Sequence, residues 1–241
     1  MDVRELTPDE IRARVLHRDG LMIVIDKPAG LPVHKGPKGG ANLESSFDAL
    51  RFGLPRPPVL AHRLDKDTSG CLVLGRHRKA TASLGLLFKH GRIEKTYWAV
   101  VEGGPEEQEG TIDLPLGRLD QQRGWWMKPD PHGLASVTTW RVMGRSAAAA
   151  GTGLAWLALT PLTGRTHQLR VHCAASGWPI VGDSIYGSAP RFTGPPQMLH
   201  AREVVVPLAK NRPPVRVTAP VPDHMREALR ACGWKGDDAG G

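Results

Sequence analysis

The longest aliphatic run in this chain, Leu21-Met22-Ile23-Val24-Ile25, is cut off at once by Asp26-Lys27-Pro28-Ala29-Gly30. Proline has no amide hydrogen to give a strand ladder and glycine favours turns, so the run ends as one short buried strand. It is also far too short to cross a bilayer, so no membrane span is expected. The rest follows the same plan. Short apolar segments alternate with loops, without an internal repeat or a linker, which gives a strand-rich α+β layout. An apolar share of 40% with 23% charged residues fits a folded soluble chain, and 241 residues suffice for a real core. One domain over residues 21–232 is expected, preceded by a polar arm, 1–20, and followed by a disordered tail, 233–241.

Helices are predicted after Pro8, over 43–50, over 79–89, over 166–176 and over 224–231. In the third, Ala80, Leu84, Leu87 and Phe88 recur at helical spacing before Gly91. In the fourth, Thr166 is the expected N-cap, with Gly177 and Pro179 as the stop. Strands are predicted over 71–74, 93–102, 137–142, 156–159, 204–206 and 215–218. In the second of these Ile93, Lys95, Tyr97, Ala99 and Val101 share one face. Residues 31–40, 121–132 and 145–153 read as loops.

A formal net charge of +8 makes the surface attractive to polyanions, with nucleic acid the leading partner. The N-terminus mixes both charge signs and lacks the apolar core of a secretory signal, so a cytoplasmic location is expected. Cys71, Cys173 and Cys232 are scattered without a C-x-x-C pair, which points to buried small apolar residues. A metal site is not expected either. His167 and His172 are five apart, unlike the i, i+4 pair of H-E-x-x-H, and no acidic residue lies between them.

The densest chemistry lies in His62-Arg63-Leu64-Asp65-Lys66-Asp67-Thr68-Ser69-Gly70. Taken alone this is a polar turn of good turn formers. The crowding of cations around Asp65 asks for more. An aspartate is ionised at neutral pH and cationic neighbours favour that form, which suits a nucleophile or base rather than an acid. Asp67 reads as a brace for loop N–H groups. A second basic segment, Gly164-Arg165-Thr166-His167-Gln168-Leu169-Arg170-Val171-His172, stands at a strand-to-helix junction.

Four motifs in this order resemble the RluA family of pseudouridine synthases over roughly residues 24–219. They are Lys27-Pro28-Ala29-Gly30-Leu31-Pro32-Val33-His34; the loop from His62 to Gly70; Lys95-Thr96-Tyr97-Trp98-Ala99-Val100-Val101-Glu102-Gly103; and Gly164 to His172, continuing into Pro179-Ile180-Val181-Gly182-Asp183-Ser184-Ile185-Tyr186-Gly187. Trp178 departs from the His that many relatives carry there. The resemblance implies a mixed, mainly antiparallel sheet with flanking helices and a central RNA-binding cleft, without an S4-like domain. It also implies isomerisation of uridine in ribosomal or transfer RNA, without cofactor, by a protein expected to be a monomer.

Under that resemblance Asp65 is the essential carboxylate. It either attacks the anomeric carbon or removes the proton from the neighbouring sugar carbon. Arg165 is the guanidinium expected to orient it. Tyr97 stacks on the uracil and takes the last proton from carbon 5. Arg63 displaces the target base and Leu169 offers an apolar floor; apart from the resemblance, Lys95 and Arg170 are read from their charge as phosphate contacts, and His62 as a further substrate contact. The alternatives are an RNA-binding module without catalysis and a carboxylate-pair glycosidase, and the cationic setting of Asp65 fits a polyanionic substrate better than a sugar.

Overall fold

The computed structural model describes residues 4–36, 39–120, 125–147, 153–191, 193–208 and 212–236. Part of each predicted loop, including 37–38, 121–124 and 148–152, and the last residues of the predicted tail lie outside the described residues. The chain divides into two units. One holds the residues up to Lys95 together with Ala201–Pro220, and the other holds Thr96–His200 together with the residues from Val221 on. Two of the three crossings fall inside strands, which is why no change of composition marks them. Pairing is mainly antiparallel in both, with helices against the strands.

In the first unit, α1 (Pro8–Ala13) is closed by a capping box: the Thr7 hydroxyl accepts from the Glu10 amide, and the Glu10 carboxylate accepts from the Thr7 amide. The strand β1 (Val15–Arg18) then pairs antiparallel with β2 (Met22–Lys27). The opening segment is therefore more than an arm. Its helix start at Thr7-Pro8 and the fully buried Ile11 tie it into this unit. Residues Glu44–Leu50 form a 3-10 rather than an α-helix. The Asn42 carbonyl accepts from the Ser45 hydroxyl and the Asn42 side chain accepts from the Ser45 amide, local bonds that compete with the α pattern.

The strand β4 (Ser69–Gly75) pairs with β2 along its length and with the two-residue β3 (Val59–Leu60) at its far end. Every residue of β4 is buried, as a strand covered on both faces requires. Helix α2 (Arg78–Lys89) packs on it through Ala80 and Leu84. In the second unit β5 (Glu94–Glu102), β10 (Leu154–Pro161), β9 (Val137–Arg145) and β6 (Glu109–Asp113) pair antiparallel in that order. A separate ribbon, β7 (Leu116–Arg118) and β8 (Met127–Pro129), follows β6 in the chain.

Ala99, Val101, Leu157 and Leu159 face α3 (Gln168–Ala175) in one apolar cluster, with Tyr97 packed against it as the strand alternation predicts. On another face Val100 and Trp156 meet Met225 and Leu229 of α4 (Asp223–Ala231). Back in the first unit, β12 (Val215–Thr218) pairs with the end of β11 (Leu199–Val206). The three cysteines are buried and free, and burial pushes the Cys71 thiol up to about 12. Among the described residues no helix is long and apolar enough to cross a membrane, and no cluster of three or more His, Cys, Asp or Glu forms a metal site.

Candidate active site

The loop carrying Asp65 leaves β3 and enters β4, and its backbone is held from beneath by one side chain. Lys27, the last residue of β2, is fully buried, and its ammonium donates to the carbonyls of Lys66 at 2.8 Å, Thr68 at 2.9 Å and Pro28 at 2.8 Å. Two of those carbonyls belong to the residues that flank Asp67 just beyond Asp65. The Lys66 carbonyl also accepts from the Gly30 amide at 3.0 Å, and the Asp65 carbonyl from the Thr68 amide at 3.2 Å. The turn is closed at both ends and tied to the 28–30 bend, which fixes the backbone that carries Asp65. Burial pulls the Lys27 amine down to about 7, while Asp67, Asp65 and Asp26 pull the other way. Three acceptors need three N–H groups, so the site is built for the ammonium.

The loop's other end is pinned through His62. Its Nε2 accepts from the Val73 amide at 3.0 Å, and its ring stacks on Phe88 of α2 at 4.2 Å. Burial and the nearby Lys95 charge hold the imidazole down at about 3, so it is neutral with its proton on Nδ1. Burial also lowers the Lys95 amine. Leu64 is buried and Arg63 exposed, which turns this arginine toward solvent beside Asp65.

In the second unit Tyr97 lies on β5 opposite Leu159, half-buried against the same cluster that holds Leu169 of α3. Arg165 lies in the turn between β10 and α3, exposed, with its Nε donating to the Ala135 carbonyl at 3.1 Å. Gln168 sets that turn. Its buried amide oxygen accepts from the Thr163 hydroxyl at 2.7 Å and the Arg165 amide at 3.0 Å, while its nitrogen donates to the Val137 carbonyl and the Thr138 hydroxyl. The helix cap falls on His167, in the left-handed region at φ 52°, and not on Thr166. A bulky residue held there is uncommon and reflects how strongly the Gln168 bonds determine the turn.

Residues 21–175 match the family of RNA pseudouridylate synthases. An uncharacterised RNA pseudouridine synthase of Zymomonas mobilis is 43% identical over 211 residues, covering 87% of this chain and 94% of the relative. The chain belongs to the RNA pseudouridylate synthase family. It is thus an enzyme, an isomerase acting on RNA. The dual-specificity RNA pseudouridine synthase RluA of Vibrio vulnificus is 35% identical over 200 residues, covering 83% of this chain and 79% of that one. The solved human RNA pseudouridylate synthase domain containing 4 superposes with a TM-score of 0.76 at 26% identity, over 93% of this chain and 95% of its own.

Within this synthase two of the predicted substrate contacts are employed otherwise. Arg170 is buried, and its Nε and one terminal nitrogen bind both oxygens of Asp183 at 2.7 and 2.9 Å. Burial raises the Asp183 carboxyl, but the Arg170 bonds and the Ile185 and Tyr186 amides outweigh it and leave the group below the usual range. Such a guanidinium braces the turn after α3 and is not a surface phosphate contact. His62 likewise is an uncharged pin. The structure brings His62 and Lys95 near each other in one unit, and Tyr97 and Leu169 into one cluster of the other.

Lys27, Gly70 and Gln168 are the positioning residues that sequence reasoning passed over. Gly70 has φ 103°, and a Cβ there would stand 2.3 Å from the Ala201 carbonyl oxygen and 2.9 Å from its amide nitrogen. Backbone cannot give way as a flexible side chain can. Gly70→Ala is expected to cost about 1–3 kcal/mol, roughly 5 °C of Tm for a chain of this size, with turnover falling as the Asp65 loop is pushed off β11. Thermal unfolding beside an activity assay checks this, and a Tm within a degree of wild type would refute the close approach.

Proposed function

We propose that this enzyme is an RluA-type synthase that converts particular uridines of ribosomal or transfer RNA to pseudouridine in the cytoplasm, with Asp65 as the reactive carboxylate. The single observation that carries the reading is the Lys27 clamp, a buried ammonium fastening the backbone on either side of Asp67 in the turn that carries the half-buried Asp65. The reaction breaks the bond between the ribose carbon and N1 of uracil, forms one to C5, loses a proton from C5 and gains one at N1. It is balanced without oxidant, reductant or cofactor.

Asp65 meets the electron-poor sugar, by attack on the anomeric carbon or by removing the adjacent proton. Tyr97 offers its ring to the extruded uracil, since stacking returns about 1–3 kcal/mol against an extrusion cost of a few. Arg165 supplies the cation for the carboxylate and Arg63 helps to displace the base. Support comes from the four motifs, all intact here, and from the 35% identity with the Vibrio RluA.

The test uses total transfer and ribosomal RNA from a strain lacking the gene, incubated with the purified protein and mapped for pseudouridine. Conversion at one or a few uridines is expected, and none at any position would favour a catalytically silent RNA-binding module. Tyr97→Phe keeps the ring and is expected to retain RNA affinity while slowing turnover roughly tenfold, less than full general-base catalysis contributes because water can accept the proton instead. Single-turnover rates measure it. An unchanged rate removes the hydroxyl from the mechanism.

A further inference from the structure

Trp125 is 54% exposed, among the most exposed large apolar side chains of the described residues. A ring serving only the core would be turned inward, since aromatic side chains bury large areas. This one is instead held on edge. Its indole meets Trp126 at 5.6 Å and 80°, and His167 at 5.6 Å and 86°. The support continues inward. His167 Nδ1 hydrogen-bonds the Tyr186 hydroxyl at 2.8 Å, and the oxygen of that hydroxyl accepts from the Met127 amide at 2.9 Å. The Tyr186 ring lies 5.1 Å from the Arg170 guanidinium, which is fixed by Asp183. An exposed aromatic ring is thus braced through two residues, His167 and Tyr186, onto a buried ion pair.

The brace passes through the left-handed His167, two residues beyond Arg165, so the bend that places Arg165 also places Trp125. A cation is at hand. The Arg191 guanidinium stands 5.6 Å from the Trp126 ring, exposed. The exposed ring is Trp125 and the arginine lies over its half-buried neighbour Trp126, so an aromatic face and a cation stand on adjacent residues, as in proteins that stack a base of single-stranded nucleic acid while contacting its backbone.

We propose that Trp125 is a platform for an unpaired nucleobase flanking the target uridine, with Arg191 facing the adjoining phosphate. The assignment rests on the synthase reading of this site and adds to it a residue for substrate choice. Trp125 positions RNA and does not touch the reacting atoms, so its loss acts on KM and not on kcat.

The test compares wild type, Trp125→Ala and Trp125→Phe in two measurements. On total ribosomal and transfer RNA from the deletion strain, Trp125→Ala is expected to raise KM about tenfold, within the range of one lost base stack, with kcat within about twofold. Trp125→Phe, which keeps an aromatic face, should recover most of that. In the second measurement, an oligouridylate of twelve residues should quench wild-type tryptophan fluorescence by more than it quenches Trp125→Ala.

An unchanged KM and equal quenching in Trp125→Ala would overturn the proposal. So would equal impairment of both variants in KM and kcat together, which marks a packing role. If the wild type converts no uridine, the synthase reading fails instead, and the fluorescence comparison still decides whether Trp125 stacks a base.

Discussion

Asp65→Asn is expected to lower the rate of uridine conversion by at least about 10,000-fold while RNA affinity stays within about threefold, because removing a nucleophile or base outright has effects of that order. Asparagine has the shape of aspartate and can keep the loop's local bonds, so the loss isolates charge and basicity from geometry. An amide neither attacks the sugar carbon nor takes its proton. Affinity is spared because the carboxylate repels phosphate, and its removal lowers that repulsion. The exposed Arg63 and the pinned loop remain. Digestion and chromatography of labelled RNA give the rate, and filter binding gives the affinity. Turnover within tenfold of wild type would show that Asp65 is not the reactive group, and a parallel collapse of affinity would show that it had served folding or binding.

The reactive loop was legible because its chemistry is local: nine consecutive residues carry the carboxylate, the cations and the turn formers. Strand alternation also placed Tyr97 with Ala99 and Val101, since a period of two needs no tertiary information. What supports these residues was not legible. Lys27 reads as a solvated cation ending a strand, and only the return of the chain about 39 residues later supplies two of its three carbonyls. Arg170 looked like a phosphate contact because Asp183, thirteen positions on, gives no local sign of folding back onto it. The strands β6, β7 and β8 are short and rich in polar or turn residues, so period and propensity are both weak there. The two units left little trace because two of the three crossings between them fall within β5 and β11.

Lys27→Met separates the clamp from the carboxylate it serves. Methionine has nearly the same length and needs no solvation, so the variant is relieved of burying a charge while three carbonyls lose their donor. These terms oppose each other: the desolvation that already pulls the amine down to about 7 is relieved, while a buried carbonyl left without a donor costs about 1–3 kcal/mol, and the Lys66 carbonyl keeps the Gly30 amide. Function has no such compensation. With the Lys66 and Thr68 carbonyls released, the Asp65 turn relaxes, and a displacement of about 1 Å lowers kcat by roughly 100-fold. Expected, then, is a kcat loss near two orders of magnitude with a Tm shift of only a few degrees. A kcat loss matched by unfolding would reduce Lys27 to a core residue. The pH dependence supplies an independent check. The folded protein releases this proton near pH 7, whereas an unfolded lysine holds it to 10.5. Between those values the unfolded chain binds more protons, so wild-type stability relative to Lys27→Met rises with pH across that window. Wild-type kcat moves the opposite way, falling as pH passes about 7 because a neutral amine has two N–H groups for three carbonyls. Asp26, raised to about 6 by burial, titrates below that limb. A pH–kcat profile should show the alkaline limb in wild type and its absence in Lys27→Met; the same limb in both would assign it to another group and remove the ammonium from control of the loop.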